Sequence, residues 1–312
     1  MAHSFNNRIF GSVILKSINS NFNADFTHHP RTLPDGTVYA TDKALKYAIK
    51  DYLRKNTEGT KLFFVKRYND NLNPLSLDET YKFHFGEYPK FEKKEKDNTR
   101  KIVLTNLLKC LDIRLFGATF AGETNISIHG VVQINHGVNK FVNSEIYTED
   151  ILSPFRNPGK ENAEEKEMTT IGNQTNLQEG HYVYHFSVNP QNTKEFYKMI
   201  SESNLDSEKD RLFESKDTSI PEHLSLEDIH NFKTSLNKCV TYLDSSRKIG
   251  TENEATVWVQ LKENSKIVLP SFTELITIDN TRVIDLSLVE TIISDINEEI
   301  DVIELYYNPK TT

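Results

Sequence analysis

Cysteine is nearly absent: Cys110 and Cys239 are the only two in 312 residues. Their wide separation excludes a disulfide framework and a C-x-x-C metal site, and both read as buried thiols. No apolar run approaches the roughly 18 residues that span a bilayer. The N-terminus, M-A-H-S-F-N-N-R, lacks the apolar segment of a signal peptide, so a cytoplasmic location is expected. A surplus of positive charge is missing too, since the formal net charge is -8. That excludes a protein that coats nucleic acid with a uniformly basic surface, but it leaves room for a local groove. Hydrophobic residues at 37% and charged residues at 26% describe a soluble chain with a sizeable core.

What is present is segregated. From Asp42 to Arg67 stand Lys43, Lys46, Lys50, Arg54, Lys55, Lys61, Lys66 and Arg67 against Asp42, Asp51 and Glu58, while the acidic excess falls mostly in the later half. Within T-D-K-A-L-K-Y-A-I-K-D-Y-L-R-K, residues Thr41 to Lys55, the period of 3.6 predicts a helix. Ala44, Leu45, Ala48, Ile49 and Tyr52 share one side, and Lys43, Lys46, Lys50 and Arg54 share the other. Thr41 or Asp42 can cap its first turn. Such a ridge suits a polyanion, because each phosphate finds a charge or an N–H donor. The plainer reading is a solvated helix face.

Residues Arg8 to Ile18 read as a strand, followed by an Asn-, Pro- and Asp-Gly-containing loop, then Val38 to Ala40 and the basic helix. Lys61 to Tyr68 is expected to be a second strand and Ile102 to Leu111 a helix. Asn125 to Asn135 is expected to be a strand with Ile126, Ile128, Val132 and Ile134 on one face, and Gly130 marks a bulge or close backbone approach. His181 to Val188 alternates as a strand with Tyr182, Tyr184, Phe186 and Val188 together. Thr193 to Ile200 and Leu224 to Ile249 read as helices, the latter opened by a Ser225/Asp228 capping box and stopped by Gly250. Ala255 to Leu261, Lys266 to Leu269 and Val302 to Tyr307 are expected strands, with a helix over Asp285 to Glu298. Two polar excursions, Asn69 to Arg100 and Asn143 to Glu179, interrupt this order. Reduced to its core, the chain reads as an α+β fold in the ferredoxin-like order strand, helix, strand, strand, helix, strand, an order shared by RNA-recognition modules. The aromatic signature of those modules is lacking, so the order alone does not give a function.

Three blocks, in this order, resemble one family. They are N-S-N-F-N-A-D-F followed by P-R and T-D-K-A-L-K-Y-A-I-K-D-Y-L; D-I-R-L-F-G-A-T-F followed by S-I-H-G-V-V-Q-I-N-H-G; and M-T-T-I-G-N-Q near G-H-Y-V-Y-H-F-S-V-N-P, then L-S-L-E-D-I-H-N-F. The set is similar to the backbone subunit of CRISPR Cascade complexes, the seventh Cas family, and most closely its subtype I-B branch. Tyr47 stands where relatives often carry Arg, and Val131 replaces a usual Pro.

The resemblance implies a non-catalytic, RRM-like palm spanning residues 1 to 312, with no cofactor. A finger-type insertion would lie at 69 to 112, a thumb-type insertion at 143 to 179 and a C-terminal extension of the palm at 263 to 312. It implies copies stacked along a guide crRNA, gripping its backbone and presenting bases to target DNA in antiviral defence. Implied partners are further copies of the chain, subunits capping the 5′ end of the guide, large and small subunits, and a helicase-nuclease recruited to the assembly. Lys43, Lys46 and Lys50 would hold guide phosphates, and Asn19, Asn21 and Arg31 would line the path. Thr41, Arg54, Arg114, His129, Thr169 and Thr170 complete the implied RNA-binding set.

Two other readings stay open. Related type III backbone subunits cut target RNA with an Asp in the equivalent loop, and Asp25 stands in such a loop, although one carboxylate without partners is a poor metal site and more often a turn residue. The adjacent His28 and His29 likewise lack a spaced third ligand. The excursions could instead bind other proteins, making the chain a protein-only interaction module.

Overall fold

The computed structural model describes residues 4–89, 96–156, 168–202 and 223–308. Its centre is β1 (Ile9–Ser20), whose alternating side chains are buried on both faces. The chain continues through β2 (Tyr39–Ala40), α1 (Asp42–Asn56), α2 (Leu77–Phe85), α3 (Lys96–Leu108), α4 (Leu111–Phe116), β3 (Gly117–Ala121), β4 (Asn125–His129), β5 (Val132–Ile134) and β6 (Gly137–Asn139). It then forms β7 (Ile146–Arg156), β8 (Met168–Val188), α5 (Gln191–Ser201), α6 (Leu226–Lys238) and β9 (Thr251–Leu261). A C-terminal segment adds β10 (Thr277–Ile278), β11 (Ile284–Asp285), α7 (Ser287–Asp295) and β12 (Ile300–Tyr307).

The main sheet runs β12-β9-β1-β8-β6-β2, with β5 and β7 also paired to β8, and every pairing is antiparallel. On one face, Ile9, Val13, Leu15, Tyr182, Tyr184, Phe186, Val188 and Trp258 meet the apolar sides of α1 and α6. The expected face of His181 to Val188 is therefore borne out. On the other face, Phe10, Ile14, Val183, Val257 and Val259 meet the C-terminal segment through Leu269, Phe272, Ile276 and Val289. A third core joins Phe63, Tyr81 and Phe85 to α3, α4 and the separate β3–β4 sheet. Fully burying a large apolar side chain contributes about 1.5–3 kcal/mol, so each of these clusters is a substantial stabilising unit.

β8 is longer than its sheet partner. Val188 to Leu177 pair with β1, and beyond it Asn176 to Met168 pair with β7 alone. That hairpin projects past the end of β1 by about 30 Å at the usual rise per strand residue. It occupies most of the second polar excursion; residues 157–167 fall outside the described set.

Four expectations fail for identifiable reasons. Lys61 to Tyr68 is not a strand: Phe63 and Phe64 donate their amides to the Asp112 carboxylate at 2.8 and 2.7 Å, and the Leu62 carbonyl accepts from Arg67. A side chain has taken the place of a neighbouring strand. Asn125 to Asn135 divides into β4 and β5, with Ile126 and Ile128 in the third core and Val132 and Ile134 in the first. Gly130 is the break, and its close backbone approach is borne out, since a Cβ there would collide with Gly117, Phe116 and Leu115 backbone atoms. The Leu224 to Ile249 helix opens with the expected Ser225/Asp228 capping box but ends at Lys238. There Asn253 of β9 accepts from the Val240 and Thr241 amides and donates to the Leu236 carbonyl at 2.7 Å, which terminates the helix from outside. Lys266 to Leu269 forms no strand, and Leu269 packs as a loop residue in the second-face core.

Candidate nucleic-acid interface

α1 forms where the apolar period predicts, with Ala44, Leu45, Ala48, Ile49 and Leu53 buried. Thr41 is its N-cap: its hydroxyl accepts from the Ala44 amide at 3.3 Å and donates to Asn23 Oδ1 at 2.8 Å. The helix start is thus closed by the loop that delivers it. Asp42 accepts from Lys43 at 2.9 Å and Lys46 at 3.2 Å, and His136, tilted against the Tyr39 ring, approaches it. Burial resists ionisation of the Asp42 carboxyl, but these two lysines outweigh it and hold its pKa below the ordinary value.

The expected ridge therefore is not a row of equivalent free cations. Lys43 pairs with Asp42 but its side chain is 82% exposed, and so weak an exposed ion pair is readily exchanged for a phosphate. Lys46 is mostly covered and lies 5.5 Å over the Phe116 ring. Lys50 lies over Phe64 at 5.9 Å; burial lowers its pKa and the Asp112 charge opposes that shift. Arg54 and Lys55 share Asp51, each at 2.7 Å.

The loop before α1 meets the base of the hairpin. Asn19 takes a left-handed conformation, φ 47°, and accepts from the Tyr147 hydroxyl of β7 at 3.3 Å. Asn21 is buried; its amide group donates to the His28 and Thr175 carbonyls, both at 3.1 Å, while its Oδ1 has no partner. Arg31 is half-buried with its Nε equally unpartnered. Buried polar atoms without partners are uncommon and call for an explanation.

Other expected residues lie elsewhere. Arg114 is turned inward, forming a bidentate pair with Asp228 at 2.6 and 3.1 Å and donating to the Leu108 carbonyl. Its guanidinium joins α4 to the start of α6 and is consumed there. His129 is exposed at the end of β4, opposite Gly117. Thr169 and Thr170 belong to β8, but their side chains fall outside the described set. Asp25 behaves as a turn residue: its Oδ1 accepts from Thr27 N, Thr27 Oγ1 and His29 N, and the Thr27 hydroxyl foremost lowers its pKa. Among the described residues no group of three His, Cys, Asp or Glu side chains could hold a metal.

Sequence reasoning missed Arg247 and Lys248, and it counted Lys66 and Arg67 in the basic stretch without their aromatic partners. Lys248 lies 5.3 Å over Phe22 and 5.5 Å over the half-exposed Tyr47 ring, and Arg247 precedes it. Lys66 and Arg67 lie over the exposed rings of Tyr68 and Phe83 at 5.0 and 5.1 Å. Cations interleaved with exposed rings suit a single-stranded nucleic acid, whose phosphates take the charge and whose bases stack. The adjacent S-S-R-K letters were the available signal, but only folding brings them to α1.

The family model described as CRISPR-associated protein Cas7 matches residues 7–301. The chain belongs to that family. Two solved structures resemble this Cas7-family chain. A chain of a "CRISPR RNA-guided surveillance complex" has a TM-score of 0.49 and 12% identity, covering 98% of this chain and 90% of that one. A chain of a "CRISPR RNA-guided surveillance complex, pre-nicking" has a TM-score of 0.43 and 12% identity, covering 84% and 80%. No curated protein sequence matches.

Proposed function

We propose that this Cas7-family chain is a backbone subunit of a Cascade-type surveillance complex, binding guide RNA through the loop before α1, the exposed side of α1 and the base of the β7–β8 hairpin. Family membership supports the reading. The observation that carries it is the unpartnered Arg31 Nε and Asn21 Oδ1 in the loop that leads into α1, whose Lys43 is exposed, in a chain whose net charge is -8. A sugar-phosphate strand supplies both acceptors and hydroxyl donors to such a set.

In this reading the sheet order β9-β1-β8-β6, with α1 and α6 on one face, is a ferredoxin-like, RRM-like palm of the subtype I-B branch. Residues 69 to 112 supply a finger, 143 to 179 a thumb, and 263 to 312 an extension covering the sheet's second face. Copies stack along the crRNA and leave bases free to pair with target DNA, alongside other Cascade subunits and a helicase-nuclease. The chain acts as scaffold. The nuclease reading through Asp25 gains no support from a carboxylate engaged in its own turn.

The test is co-expression with a repeat-containing RNA followed by nuclease treatment. RNA of uniform length is expected to survive with the protein. Lys43→Glu combined with Arg31→Ala is expected to weaken guide binding about tenfold or more at low salt. Protein free of RNA, or a double variant that binds as the parent does, would overturn the proposal.

A further inference from the structure

We propose that the turn after α6 holds a phosphodiester subsite made by Arg247 and Lys248, with Tyr47 of α1 as the adjoining platform for a nucleobase. The inference rests on the guide-RNA reading and adds residues and roles to it.

The turn is fixed in place. Asn21 donates its amide to the Arg247 carbonyl and Ile18 donates to the Gly250 carbonyl, both at 2.8 Å. A side chain at Gly250 would collide with the Ile18 carbonyl, so the two segments lie in direct backbone contact. Thr251 continues the join through the Ser17 and Ser20 hydroxyls at 3.0 and 2.8 Å. Arg247 and Lys248 are therefore held beside the same loop that carries Asn21.

Charge compensation distinguishes this pair from the ridge. Lys43, Lys46, Arg54 and Lys55 each contact a carboxylate. Among the described residues Lys248 contacts none; its ammonium has only the Phe22 and Tyr47 rings. Arg247 Nη1 is shielded from solvent and has no acceptor. Burial lowers the Lys248 pKa from its ordinary value, and no anion offsets that cost. A buried donor on a charged group without an acceptor is destabilising, and the phosphate oxygens of a bound strand would relieve each residue. Tyr47 presents a half-exposed ring beside the ammonium, so a strand with its phosphate on Lys248 can lay a base on Tyr47. A free anion would use only the first of these two features; single-stranded nucleic acid uses both.

The experiment measures binding of the full chain to a labelled single-stranded polyuridine oligonucleotide across a salt series. Lys248→Gln and Arg247→Gln are each expected to reduce the slope of log K against log salt by about 0.7, the value for one phosphate contact on a single strand. Lys248→Arg is expected to keep the slope. Tyr47→Ala is expected to weaken binding roughly 5- to 150-fold without changing it. In the wild-type protein, the oligonucleotide is expected to protect Lys248 from acetylation, read by mass spectrometry, so that the conclusion does not depend on a variant folding. Steep salt dependence of the wild type together with unchanged Gln-variant slopes, or an unprotected Lys248, would overturn the subsite and leave the guide-RNA reading standing. A wild type without salt-dependent binding would overturn both.

Discussion

Lys43 and Lys50 share a helix face by spacing, yet their side chains serve different ends. Lys43 reaches solvent, whereas Lys50 is folded over Phe64 within the field of Asp112. Burial pushes the Asp112 pKa up, while the Phe63 and Phe64 amides and the Lys50 charge oppose it. This carboxylate organises the segment that sequence periodicity assigned to a strand. Asp112→Ala is expected to lower stability by about 2–5 kcal/mol in urea unfolding, because two amides lose their acceptor and Lys50 loses its counter-charge. Lys43→Ala is expected to change stability by less than about 0.5 kcal/mol while weakening RNA binding. Charge reversal at Lys50 would mix the two effects, so Lys43 is the cleaner probe of the interface.

At the scale of elements, local chemistry was legible wherever it was self-contained. The stripe of α1, the Ser225/Asp228 capping box and the alternation of Tyr182 to Val188 need only neighbouring residues, and all three are present. Errors arose where a distant side chain ended or replaced an element, as Asn253 does for α6 and Asp112 for the Lys61 to Tyr68 stretch. Gly130 is an intermediate case, since its strand context suggested a close approach but not its partner. Gly117 is that partner, at φ 76°. Gly130→Ala is expected to destabilise the protein by about 3 kcal/mol or more, because the obstructing atoms are backbone and cannot rotate away. Thermal melting, with amide exchange of the β3–β4 strands, would check it; an unaltered melting temperature would contradict the packing.

The whole molecule is assembled by long-range polar joints as well as by three apolar cores. Glu179, at the base of the hairpin, accepts from Arg282 of the C-terminal segment at 2.5 and 2.8 Å. His181, fully buried, lies between Glu179 and Glu254 at 3.2 and 2.7 Å. Arg282 above all lowers the Glu179 pKa below its ordinary 4.5. A depressed carboxylate pKa contributes stability that is fully present above the unfolded value and is lost as pH falls through the folded one. The melting temperature is therefore expected to fall as pH drops below about 4.5, and Arg282→Ala is expected to flatten that part of the profile. Identical profiles for the two proteins would show that the joint does not link the C-terminal segment to the hairpin base.

The sequence by itself determined the amphipathic helix, its cap, the apolar strands of the central sheet and the segregation of charge, because these depend on periodicity and on residues a few positions apart. Pairs three or four residues apart on one helix follow from spacing, but only tertiary structure decided the fate of the other cations. Lys46 and Arg54 found carboxylates on their own helix, Arg114 found Asp228 on another, and Arg247 and Lys248 were carried across the chain to Tyr47. Charge is written in the sequence, but its neutralisation depends on distance in space, and that distance exists only once the chain has folded.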